Sequence, residues 1–356
     1  MGADVGRTMK KEKESKVTLT EVAKRAGVSP STVSRYLNRT SFIAKDKVRA
    51  IEEAMFESGF KSKPRKSQPI TKRSMSIGVV AASFDSPHIA RILKGMDSTV
   101  LNHSYQIIVE TSHWNKARET EILKQFKQRN ADAIVLIGSY LNDAEVKTIL
   151  GKTPVLLLGS PVYLAPTDSI TGIPQVLVDN ELGGYLATNH LIQLGHTRIL
   201  HLRGAIGNND SDERVVGYKR SLEKAGIEVL DELIVEGEFK SEQSLEVVKE
   251  TIEQGIEFTA IFASNDESAY GAIQALHQKG YSVPDDISLI GFDDLPFSSY
   301  LIPQLTTVKQ PLEIMGSIAI RYALDLISGI KPNYQVPPVE VIVRNSTQRN
   351  AVKSAI

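Results

Sequence analysis

The sequence predicts a small all-α helix-turn-helix headpiece joined to an α/β core of two doubly wound lobes. Three observations lead there. Two short helical stretches flank Gly27 near the start of the chain. After residue 75, continuous apolar runs alternate with amphipathic stretches, the pattern of parallel sheets covered on both faces. Charge is also divided unevenly: residues 1–73 hold 18 Lys and Arg against 8 Asp and Glu, and the remainder 24 against 34, within a net charge of zero. A basic head on an acidic body suits a head that meets a polyanion.

The head is read from "VTLTEVAKRAGVSPSTVSRYLN". Thr18 caps a first helix, and Glu21 three residues later completes a capping box. Leu19, Val22, Ala23 and Ala26 share one face. Gly27 ends that helix where a left-handed residue is needed. Ser29 caps the second helix, with Pro30 at its first position. Val33 and Leu37 turn inward, which leaves Pro30, Ser31, Thr32, Ser34 and Arg35 on the other side. Hydroxyls bond phosphates or base edges, and an arginine can grip guanine O6 and N7 together. "AKDKVRAIEEAMFESG" supplies a third helix, with Val48, Ile51, Ala54 and Met55 inward. The unit is suited to a DNA major groove.

Eight strands follow, "SIGVVAA", "YQIIVET", "DAIVLIG", "PVLLLG", "QVLVDN", "RILHLRG", "TAIFASND" and "ISLIGFDD", separated by helical stretches. They fall into two runs, one for each lobe. Ligands of such sheets bind beyond the carboxyl ends of the strands. The polar residues there are Ser83 and Asp85, Asp179 (with Glu181 as a rival), Asn265 and Asp266, and Asp293 with Asp294; Arg214 follows a loop. Carboxylates, an amide and an arginine can each take paired sugar hydroxyls. A strand-end aspartate also caps helices, and that second reading stays open for Asp85 and Asp266.

Other classes are excluded or made remote. The 356 residues suit two or three domains and are 41% hydrophobic. No run approaches the roughly 18–20 apolar residues of a membrane span. The charged opening "MGADVGRTMKKEKESK" lacks a signal-peptide core, so a cytoplasmic, nucleoid-associated protein is expected. There is no cysteine, hence no disulfide, thiolate metal site or thiol nucleophile. His190 and His201 lack metal-ligand spacing, so neither metal nor cofactor is expected. G-x-G-x-x-G after the first strand, a P-loop and G-x-S-x-G are all missing, which argues against an enzyme.

"LTEVAKRAGVSPSTVSRYLN" resembles, nearly residue for residue, the headpiece of the lactose-repressor/galactose-repressor family of bacterial regulators. "GHTRILHLRG", "ERVVGYKRSLEKAG", "FASNDESAYGAIQAL" and "ISLIGFDDLPFSSYLIPQLTTVKQPLEIMG" are similar to that family's core, which itself resembles periplasmic sugar-binding proteins. The resemblance covers about 17–345. It implies that Pro30, Ser31 and Arg35 read bases and that Thr18, Ser29, Thr32, Ser34 and Asn38 hold phosphates. It marks Arg214 and Asp293 as effector ligands and Phe239 as a stacking platform. Where the family often shows Asn-Pro-Phe-Phe, this chain has "SPHI", placing Ser86, His88 and Ile89 on the far wall of the pocket.

The resemblance implies a repressor of carbohydrate genes that binds a pseudo-palindromic operator in double-stranded DNA as a homodimer and answers a small effector, a sugar or sugar phosphate, bound between the two core lobes. Two alternatives are a dimeric regulator that ignores ligand and a sugar-modifying enzyme with an accessory head. The expected boundaries are a DNA-binding domain at 17–60, a hinge at 61–74 and a core at 75–345. Lobe 1 takes about 75–174 and 305–331, and lobe 2 about 175–304 and 337–345. Tails at 1–16 and 346–356 are expected to be disordered. In the hinge "FKSKPRKSQPITKRS", Pro69 stands where the family has a minor-groove leucine. It is read either as a wedge, beside Ile70, or as a break in a flexible basic linker.

Overall fold

The computed structural model describes residues 17–38, 43–58, 60, 73–160 and 172–350. The chain divides into two compact units, 1–70 and 71–356. Pro69, Ile70 and the hinge lysines fall outside the described residues.

The first unit has three helices, α1 (Leu19–Arg25), α2 (Pro30–Asn38) and α3 (Lys45–Ser58). Thr18 and Glu21 close the expected capping box at α1. Gly27 adopts φ +64°, the left-handed turn that lets α2 start at a new angle. Val22, Ala23, Val33, Ile51 and Ala54 are buried together as the head's small core, with Leu19, Ala26, Leu37 and Met55 packed around them.

The core unit runs β1 (Ser76–Ala81), α4 (Pro87–Val100), β2 (Gln106–Thr111), α5 (Lys116–Gln128), β3 (Ala133–Ile137), α6 (Asp143–Leu150), β4 (Val155–Leu158) and β5 (Gln175–Val176) through its first part. It continues α7 (Asn180–Gln193), β6 (Ile199–Arg203), α8 (Asn209–Lys224), β7 (Ile234–Glu236), α9 (Ser241–Glu253), β8 (Ala260–Ala263), α10 (Asp266–Gln278), β9 (Ser288–Asp293), β10 (Thr306–Lys309), α11 (Leu312–Ile327) and β11 (Glu340–Ile342). One sheet has the order β2-β1-β3-β4-β5 and the other β11-β10-β9-β8-β6-β7. All pairings are parallel except β10 with β11.

Period-two alternation divides each strand between two helical layers. In β1, Ile77 and Val79 face the layer of α4 and α11, whereas Val80 faces that of α5 and α6. In the second lobe α7 and α8 cover one face, and α9 and α10 the other. Helices cross closely where glycines meet. A Cβ on Gly95 of α4 would lie 1.9 Å from the Glu313 carbonyl oxygen, and one on Gly316 of α11 would lie 2.0 Å from that of Ile92. Gly184 of α7 and Gly217 of α8 form the equivalent crossing in the second lobe.

Three boundaries differ from the sequence expectation. Gln175 and Val176 pair with β4, so they belong to the first lobe, and the chain crosses at 177–179. Strand 306–309 pairs with β9, so it belongs to the second lobe, and the return crossing is at Gln310 and Pro311. Pro303, beside the expected boundary at 304/305, lies in a bend before this strand and not at a passage between lobes. The tail expected from 346 is docked as far as 350. Ser346 is fully buried; its hydroxyl accepts from the Thr306 amide at 2.8 Å and donates to the Leu289 carbonyl at 2.6 Å. The Asn350 amide donates to the Leu194 carbonyl at 2.8 Å. Among the described residues no helix is long and apolar enough to cross a membrane.

Candidate functional site

Two surfaces gather the residues singled out in the sequence. On α2, Val33 is buried and anchors the helix, so the opposite side is presented outward. Pro30, Ser31 and Arg35 are exposed there, with Thr32 and Ser34 half-buried beside them. Ser29 accepts from the Thr32 amide at 3.2 Å, and its hydroxyl lies 2.8 Å from those of Ser31 and Thr32. The cap therefore also gathers the hydroxyls. Tyr36 is tied to Glu52 of α3 at 2.7 Å, which fixes α2 against its support. Arg35 is exposed on α2 and forms no ion pair among the described residues. Thr18 is exposed, although its hydroxyl also serves the capping box.

The second surface is a cavity of about 810 Å³ within the core, lined from the carboxyl ends of both sheets. The first lobe contributes Ser83, Asp85, Ser86 and His88. Ser86 precedes α4 without spending its hydroxyl on a cap. Trp114 and Tyr140 meet edge to face there, with centroids 6.5 Å apart. The second lobe contributes Asn180, Asp210, Arg214, Phe239, Asn265 and Asp293, and Gln310 enters from the return crossing.

Arg214 organises the second-lobe wall. It is buried, with its guanidinium carbon 3.8 Å over the Phe292 ring and 5.6 Å from that of Phe239. Its Nε donates to Asn180 Oδ1 at 2.9 Å, and a terminal nitrogen donates to the Ser264 carbonyl. Asn180 in turn donates to Asp210 at 3.1 Å. The Phe239 ring lies where a Cβ on Gly204 would stand, so only glycine admits it. Asn265 holds the Phe239 carbonyl at 3.1 Å and caps α10 through Ser268.

Asp293 ends β9 at φ +114°, a backbone region that L residues rarely adopt. Its buried carboxylate accepts from Gln310 at 2.6 Å. Burial pushes its pKa up to about 6, against the pull of Arg214 and Gln310. His88 is held down at about 4 by burial and by the Arg214 charge. The assembled groups are acceptors and donors suited to a polyhydroxylated or heterocyclic small molecule.

Of the strand-end residues predicted to face the ligand, Ser83, Asp85, His88, Arg214, Phe239, Asn265 and Asp293 line this cavity. Two predicted residues do not. Asp179 caps α7 by accepting from the Leu182 amide at 2.8 Å. Asp266 is fully buried behind the wall and accepts from the Leu295 amide and the Ser298 and Thr307 hydroxyls. In both cases the helix-end and core role wins because the backbone donors are nearer than the cavity. Asn180, Gln310 and Glu119 are lining residues that sequence reasoning missed. Asn180 directly follows Asp179, and Gln310 lies within "TTVKQP", so the signal was present one residue away. Glu119 begins a polar helix and gives no sign of being buried against Ser139.

A family model described as "Bacterial regulatory proteins, lacI family" matches residues 18–63, and one described as "Periplasmic binding protein-like domain" matches 188–347. The chain is 32% identical to the HTH-type transcriptional repressor PurR of Serratia proteamaculans, over 90% of this chain and 93% of that protein. It is 31% identical to catabolite control protein A of Priestia megaterium, over 86% and 91% respectively. Among solved structures, the lac repressor dimer bound to operator and the anti-inducer ONPF superposes with a TM-score of 0.70 at 26% identity, over 93% of this chain and 99% of that one. The regulator CelR in complex with cellobiose gives 0.69 at 26% identity with the same coverage.

Proposed function

The chain belongs to the lacI family of bacterial regulatory proteins, and from that membership we propose a sequence-specific transcriptional repressor whose operator affinity is set by a small effector held in the core cavity. One observation carries the proposal. The same chain pairs a helix presenting Ser31 and Arg35 with a cavity whose polar wall comes from both lobes. The first is an element for reading a groove. The second is an element whose occupancy changes with lobe closure.

Arg35 reads a base edge, and Ser29, Thr32 and Ser34 hold phosphates. One short helix reads only a few base pairs, so two copies bind a pseudo-palindrome. Arg214 and Asp293 grip the effector, and Phe239 covers its apolar face. Effector hydroxyls match these groups, which favours a carbohydrate. CelR, which this chain resembles in fold, is known as a complex with cellobiose.

Operator binding in the presence of a panel of sugars and purines tests the reading. Arg214→Ala and Asp293→Asn should bind operator as the parent does, since both lie in the core unit, yet need roughly 10–150-fold more effector, the loss of one charge-assisted hydrogen bond. An Asp293→Asn protein answering at the parent's concentrations would remove Asp293 from the site.

A further inference from the structure

This step rests on reading the cavity as an effector site and asks which effectors its charge admits. From the balance of its walls we infer that the effector carries no phosphate or carboxylate and is an uncharged polyhydroxylated compound. Six carboxylates line the cavity: Asp85, Asp210, Glu236, Glu238, Glu267 and Asp293. A seventh lining carboxylate, Glu119, is spent on Ser139 and on the Tyr140 amide. Among the described residues only two cations face them, Arg214 and Lys240. His88 is held neutral at ordinary pH by burial and by Arg214.

Both cations are already matched. Lys240 Nζ lies 2.7 Å from Glu238. Arg214 has Asp293 and Asp210 near enough to stabilise its charge, and two of its N–H groups are committed to Asn180 and Ser264. Residues 161–171 follow the lining residues Gly159 and Ser160 and lie outside the described segments, but they contain Asp168 and no Lys or Arg. They cannot supply the missing positive charge.

Of the helix N-termini at the rim, which would favour an anion, that of α8 is capped by Asn208 and that of α10 by Asn265, whereas α4 and α9 carry no side-chain cap; the excess negative charge lies on the side chains. An anion would still meet a wall whose side chains carry like charge. Hydroxyl groups meet the opposite situation. They donate to carboxylates that have spare lone pairs, and a ring face can lie on Phe239 or Trp114.

The test is calorimetric binding of matched sets, glucose with glucose 6-phosphate and glucuronate, and cellobiose with cellobionate, together with operator release by each. The neutral member of a responding set should bind at least tenfold tighter than its anionic partners. In a Glu236→Gln, Glu267→Gln protein that gap should narrow at least threefold. Tighter binding of a phosphorylated or carboxylated member, or a gap unchanged in the double variant, would overturn the charge inference and leave the effector reading standing. Absence of binding and of operator response across every set would instead overturn the effector reading itself.

Discussion

Arg35 and the buried aspartates show how differently single residues are constrained. Arg35 is exposed and has no ion pair among the described residues, so its contribution is realised against a partner. Arg35→Ala should cost about 1–3 kcal/mol at one operator base pair and flatten discrimination there. Competition binding against operators varied at each position reads this directly, and unchanged preference would move the base-reading role elsewhere. Asp266 lies at the other extreme. Burial and the neighbouring Asp293 push its pKa up to about 7, against three hydrogen bonds that favour the charged form. With a folded value above the ordinary 3.8, its contribution to stability is full below that ordinary value. It is lost as pH rises through about 7. Urea denaturation between pH 5 and 8 should show stability falling with pH by up to about 1.4 kcal/mol per unit from this group. Asp266→Asn should flatten that decline. These aspartates also explain what could not be read in advance. "FASND" and "QVLVDN" announce polar strand ends, but a carboxylate reaches a helix amide as easily as a cavity. Only packing decides between them.

At the scale of elements, the helix crossings transmit what the side chains do. A Cβ on Gly184 would lie 2.2 Å from the carbonyl oxygen of Arg214 itself. Gly184→Ala must therefore push α8 away from α7 and shift the guanidinium. Overpacking of this kind costs about 1–3 kcal/mol. The variant should lose that much in denaturant unfolding and should also bind effector more weakly, although residue 184 does not line the cavity. Unaltered effector affinity in a destabilised protein would show that Arg214 is positioned by Asn180 and Phe292 alone. The elements themselves were largely legible, because apolar runs such as "SIGVVA" and "AIVLI" are buried on both faces and allow few alternatives. Sheet membership was less so. "TTVK" is a short strand whose sequence fits either lobe, and its place is set by pairing with β9.

For the whole molecule, the two lobes are joined by crossings and by a bridge. Arg91 of α4, in the first lobe, donates to the Asp294 carbonyl of the second at 2.7 Å and also reaches Glu313. Asp294 has positive φ like Asp293, and its carboxylate is held by Arg344. The bridge thus grips the residue next to a cavity aspartate. Arg91→Ala should weaken the described lobe arrangement by about 1.5–3 kcal/mol, the worth of a charge-assisted hydrogen bond. A ligand that prefers this arrangement should then bind roughly tenfold or more weakly. Calorimetry compared with unfolding stability separates a shift between lobe states from a general loss of folding.

The order in which the chain leaves the ribosome gives the interleaved core another meaning. The head closes on itself within about its first sixty residues. Neither lobe can be completed so early. The first lacks α11 until residue 327, and the second lacks β11 until residue 342 and buried Ser346 until residue 346. During synthesis, N-terminal units fold first. A nascent copy therefore carries a finished head while its core is still unfinished. For that interval the proposed DNA-reading surface exists without the proposed effector cavity, tethered to the messenger that encodes it.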